Sequence, residues 1–173
     1  MENGTAMGRA LIAEAERRLL GESLPRLEKC LSLLSDEEIW SRPNAETVSV
    51  GNLILHLCGN VRQWILTGLG GAADSRTRSL EFSEKGPIPA SELLQTLRTT
   101  LFQVRATLRA LDPEDLLRVR SVQAFEESGV SILVHVIEHF SYHVGQVTYF
   151  VKSQRATDVG YYSGVDVDRT RSS

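Results

Sequence analysis

All four histidines of this 173-residue chain lie in two apolar stretches. His56 sits within NLILHLCGN, and His135, His139 and His143 sit within VHVIEHFSYHVGQ. Four residues turn an α-helix by about 400°, so the three later histidines return to one narrow stripe. A buried imidazole costs free energy unless its nitrogens find partners, and a metal ion is a good partner. His56, on the other apolar segment, could complete a three-nitrogen set. The pattern points to a metal centre inside a helical bundle.

Two helix faces would have to meet to build it. Asn52, His56, Asn60 and Trp64 recur every four residues and share one face. The opposing stripe is Ile132, His135, His139, His143, Gln146 and Phe150. Packing these faces together brings His56 against two of the three stacked histidines. Neutral imidazole suits Zn, Ni, Cu and Fe, and three protein nitrogens with an open position is the pattern of a catalytic site. An HxxxH pair alone is a weak signal, and a lone buried histidine is more often bonded to a carbonyl. Four histidines on two apolar helices outweigh that simpler reading. Glu138 lies about 100° from His139 and turns toward another helix, so it is not counted as a ligand. Cys58 lies about 200° from His56 and reads as a small core thiol. No Ser-His-Asp set competes. Gly68, Gly70 and Gly71 read as a helix stop, because no Lys-Ser/Thr follows them as a phosphate loop requires.

The elements that position these residues follow from apolar periodicity. Leu11, Ile12, Leu19, Leu20, Leu24, Leu27, Cys30, Leu31 and Leu34 predict a first helix from about Met7 to Leu34, with a kink or restart at Pro25. Ser35 and Glu38 match a capping box for a short helical turn ending near Trp40. Ser49 caps a second helix through His56 and Trp64. Residues 70–89 are polar, carry Gly and Pro, and read as a connection longer than two antiparallel neighbours need. A third helix spans about Ala90 to Leu111. Leu116 to Gly129 is irregular, with a short extended piece at RVRSVQAF. The fourth helix, Val130 to Lys152, is apolar on most of its circumference and should be the most buried element. Tyr161 and Tyr162 suggest that part of the polar tail packs down. The fold class is all-α: a four-helix bundle with a long crossover between the second and third helices.

The chain is one domain's worth, residues 1–173, with its core at about 7–153. Its 19 basic and 22 acidic side chains give a net charge of −3. That balance argues against a nucleic-acid partner. Two cysteines are too few for a disulfide framework and suit a reducing compartment. No secretory leader is legible and no stretch is apolar enough for a membrane span, so a cytoplasmic location is expected. A leftover apolar stripe and the commonness of symmetric pairs lead to an expected homodimer.

The segments WSRPNAETVSVGNLILHLCGNVRQWI and EHFSYHVGQVTYFVK resemble the DinB-like superfamily of bacterial helical bundles. Trp40, the Arg42-Pro43 break, Asn52, His56, Gly59-Asn60, Trp64 and the His139, His143, Gly145, Gln146 element carry the likeness, which spans about residues 5–162. The resemblance implies an up-down-down-up bundle, often dimeric, holding a divalent metal, Zn or Ni first among candidates, on His56, His139 and His143. It leaves His135 as a neighbour or substitute ligand. It also implies a link to low-molecular-weight thiols such as bacillithiol, mycothiol or glutathione, which some relatives activate for transfer or isomerisation. A metal-dependent enzyme of that kind is the leading expectation. A non-catalytic metal-binding bundle and a metal-free helical dimer are the alternatives. Gln146, Asn60 and Tyr142 could orient ligands or substrate or be satisfied core groups, and Trp40, Trp64 and Phe150 are expected near the pocket.

Overall fold

The computed structural model describes residues 2–169. The first rod comprises α1 (Glu2–Glu16), a π-helical stretch (Arg17–Ser23) and α2 (Leu24–Leu31), continuous in right-handed helical geometry. Proline cannot donate a backbone bond and crowds the preceding turn. The wider π turns just before Pro25 absorb both defects, so the expected kink is a local change of helix type. Ser35 and Glu38 form the expected capping box of α3 (Asp36–Trp40), with Ser35 N donating to Glu38 Oε2 at 2.7 Å. Ser49 and Asn52 make a second capping box for α4 (Val50–Val61), which continues as a π stretch, Arg62–Thr67.

The connection after α4 is not structureless, as the sequence suggested. It contains α5 (Arg78–Ser83), docked on α4. Asn52 explains the docking: its Nδ2 donates to Glu81 O and Glu84 O, both at 2.9 Å. Then follow α6 (Ala90–Ala110), a short 3₁₀ turn (Pro113–Leu117), and an antiparallel hairpin of β1 (Val119–Val122) and β2 (Phe125–Ser128). The extended piece read at RVRSVQAF is this hairpin. Ser128 caps α7 (Gly129–Arg155) by accepting from Ser131 N.

The architecture is the expected all-α four-helix bundle of α1–α2, α4, α6 and α7, with the long crossover between the second and third rods. Its core is filled by Leu19, Leu27, Ile54, Leu57, Leu97, Leu101, Phe140 and their neighbours. The most buried element is α4, not α7 as expected. α4 packs against α6, α7 and α5 at once, which leaves little of its circumference free. α7 keeps an outward stripe with Val134 at 50%, Tyr142 at 62% and Tyr149 at 77% exposure. Part of the tail packs down, through Val159 and Tyr161, whereas Tyr162 stays exposed. Val159 is buried, and the Tyr161 hydroxyl lies 3.0 Å from Cys30 Sγ and 2.7 Å from Thr148 Oγ1. Among the described residues, no helix is long and apolar enough to cross a membrane.

Candidate metal centre

α4 and α7 bring His56, His139 and His143 together. Nε2 of His139 lies 3.0 Å from Nε2 of His56 and 3.2 Å from Nε2 of His143. All three ligand atoms fall within 4.8 Å of one another. A tetrahedral ion with bonds near 2.05 Å would set its nitrogens about 3.3 Å apart. The two spacings to His139 need to open by only a few tenths of an ångström, and the third pair already lies within 4.8 Å, so the three residues fit such an ion after a small side-chain adjustment. His56 is 5% exposed, whereas the other two are partly exposed, so the cluster is sealed on the α4 side and reaches the surface along α7.

The surroundings favour neutral imidazole, the form that ligates metals. Burial, reinforced by the nearby His143, His56, His135 and Arg76, pushes His139 down to about 3. Burial also lowers His143, although its bond to Gln146 opposes the shift. His135 is lowered by burial against the opposing charges of Glu127 and Glu138.

His135 stands outside the cluster. Its ring stacks on Trp64 at 3.7 Å between centroids, and its Nε2 accepts from Asn60 Nδ2 at 3.3 Å. Asn60 and Trp64 therefore serve the neighbouring histidine. Gln146 serves a histidine of the cluster directly: its Oε1 accepts from His143 Nδ1 at 2.7 Å. Tyr142 is exposed, with its ring 5.0 Å from that of His143. Trp40 is not a lining residue. It is held over Gly51 and Gly86, where a Cβ at either position would collide with its ring, and donates to Ile88 O at 2.9 Å. Phe150 packs on the core. Cys58 is a buried thiol that burial pushes up to about 11. It lines a cavity of about 530 Å³ between α4, α6 and the crossover.

Two residues that matter here escaped the sequence reading. Glu81 Oε2 accepts from His56 Nδ1 at 2.7 Å, and Arg76 binds both oxygens of Glu81. Burial alone would raise the Glu81 carboxyl, but the bonds from Arg76 and His56 overcome it and hold the group below the usual range. Both residues come from the polar stretch 70–89, where no periodicity marked them. The one available signal was its excess length, because long connections in compact domains often cover sites. Gly59, legible in the sequence, gains a reason: a Cβ there would collide with the Glu81 carboxylate.

The architecture is similar to that of known proteins. A crystal structure of a DinB-like protein from Bacillus cereus ATCC 10987 matches with a TM-score of 0.64 at 18% identity, covering 80% of this chain and 89% of that one. A conserved protein from Enterococcus faecalis matches with a TM-score of 0.63 at 16% identity, covering 86% and 95%. At these identities the likeness is one of fold, and it agrees with the DinB-like resemblance carried by the second and fourth helices. No curated protein sequence matches. Residues 9–164 match the family described as protein of unknown function DUF1572, and the chain belongs to it.

Proposed function

We propose that this protein is a divalent-metal-dependent enzyme of the thiol-transferase kind, with zinc or nickel held by His56, His139 and His143. The observation that supports the reading most is the convergence of three imidazoles, of which His139 and His143 lie in surroundings that favour the neutral form. Once bound, the ion would lower the pKa of a small thiol or a water in its open position, giving a nucleophile at neutral pH. The chain's own part is to fix the ligand set. α4 supplies one rigid donor, α7 supplies two from consecutive turns, and Gln146 orients His143. The partial exposure of His139 and His143 leaves a route for a small molecule, which a sealed structural site would lack.

The same reading includes a homodimer formed through the outward stripe of α7 and a cytoplasmic location, which suits the two free buried thiols, Cys30 and Cys58. The test starts from metal analysis of untagged protein, with stoichiometric zinc or nickel expected. Bacillithiol, mycothiol or glutathione is then added to cobalt-substituted protein. Entry of a thiolate should change the visible spectrum. If no thiol perturbs it while metal removal only lowers the melting temperature, a non-catalytic metal-binding bundle is the correct description.

A further inference from the structure

We infer that Glu81 and Arg76 are positioning residues that hold His56 as its Nδ1–H tautomer, with the Nε2 lone pair turned into the cluster. An ionised carboxylate can only accept, so the 2.7 Å contact from Glu81 Oε2 places the imidazole hydrogen on Nδ1. In the neutral ring Nε2 is then bare and faces His139 Nε2. Arg76 fixes the carboxylate from the other side, its Nε donating to Oε1 at 2.7 Å and its Nη2 to Oε2 at 2.9 Å. This forked pairing sets the plane of the carboxylate as well as its charge. Arg76 Nη2 also lies 3.1 Å from His56 Nδ1. With hydrogen on both atoms, the two are donors sharing one acceptor.

The clamp closes on itself. Arg76 Nη1 donates to Gln63 Oε1 at 2.9 Å, Gln63 Nε2 donates to Asp74 Oδ2 at 2.7 Å, and Asp74 Oδ1 accepts from Arg76 N at 3.0 Å. The side chains of His56, Glu81 and Arg76 are only 6%, 10% and 4% exposed. A buried ion pair brings little net stability once both charges have been stripped of water. Its aim at one imidazole nitrogen gives it a purpose. Asn52 pins the backbone of Glu81, and Gly59 makes room for its carboxylate. The consequence for metal affinity rests on the metal-centre reading above: a carboxylate behind a ligating histidine fixes its orientation and strengthens it as a donor.

Long-range ¹H–¹⁵N correlation spectra of metal-free, ¹⁵N-labelled protein read the tautomer directly. Wild-type His56 should show hydrogen on Nδ1. In Glu81→Gln, Arg76 retains the amide oxygen and the amide NH2 faces His56, so the imidazole should switch to the Nε2–H form while His143 keeps its pattern. Zinc affinity, measured by competition with a chromophoric chelator, should fall about 10- to 100-fold in Glu81→Gln and partly recover in Glu81→Asp. Hydrogen on Nε2 of His56 in the wild type, or a tautomer unmoved by Glu81→Gln, overturns the inference. The wild-type spectrum decides even if the variant fails to fold. If the tautomers respond as expected but wild-type protein binds no zinc, the metal-centre reading fails and the positioning of His56 stands.

Discussion

His135 and His139 sit one turn apart on α7 and meet different surroundings. Trp64 covers one face of His135 and Asn60 bonds its edge, while His139 Nε2 sits between two other imidazole nitrogens. Replacing His135 with Ala should therefore leave metal content nearly intact, and His139→Ala or His143→Ala should remove most of it. Equal loss in all three variants, measured by elemental analysis, would show that the ligand pair is misassigned. The same residues set a pH dependence for the metal-free protein. His139 titrates at about 3 when folded and near its ordinary 6.5 when unfolded. Between those values the unfolded chain binds more protons, so stability rises with pH and is lost as pH falls from about 6.5. The Glu81 carboxyl, held low by its partners, acts in the same direction but only below its ordinary 4.5. Urea midpoints at pH 8 and pH 5 thus bracket the histidine range, and His139→Gln separates its share from that of the carboxyls. The midpoint should drop at pH 5, and by less in His139→Gln; equal midpoints in the wild type would refute this.

At the scale of elements, the informative join is α5 on α4. A helix-interior glycine normally weakens a helix by up to about 1 kcal/mol relative to alanine. Gly59 should behave oppositely, because a methyl group there meets the Glu81 carboxylate. Gly59→Ala is expected to lower the melting temperature and zinc affinity together. In a Glu81→Ala background the same change should be neutral or stabilising, and a thermal-denaturation double-mutant cycle that finds simple additivity would refute the steric coupling. This join also marks what sequence could and could not convey. His56, His139 and His143 were legible because a four-residue recurrence maps onto one helix face. The caps at Ser35 and Ser49 were legible because capping is local chemistry. Arg76 and Glu81 act across tertiary space from a segment without period, so nothing in their neighbours marked them. The hairpin was seen only as an extended piece because each strand has four residues. The greater burial of α4 over α7 depended on which helices surround it, which no single helical wheel contains.

For the whole molecule, the outward stripe of α7 is one apolar surface that the bundle leaves uncovered. Val134, Tyr142 and Tyr149 face solvent in one chain, and a symmetric pair would cover them. Light scattering after gel filtration should give the mass of a dimer for the wild type and of a monomer for Tyr142→Glu combined with Tyr149→Glu. A monomeric wild type would remove the stripe's assigned role. The ligand set has a consequence of another kind, because His56 and His139 are 83 residues apart in the chain. Closing so long a loop is an entropic cost that an unfolded chain has not met. α7 alone can offer only His139 and His143, and the third nitrogen arrives when α4 docks. A bound metal ion would therefore recognise the assembled bundle far better than any earlier species and would stabilise it by mass action. Zinc should act as a brake on escape from the native state: it should slow unfolding in stopped-flow experiments while leaving the refolding rate nearly unchanged.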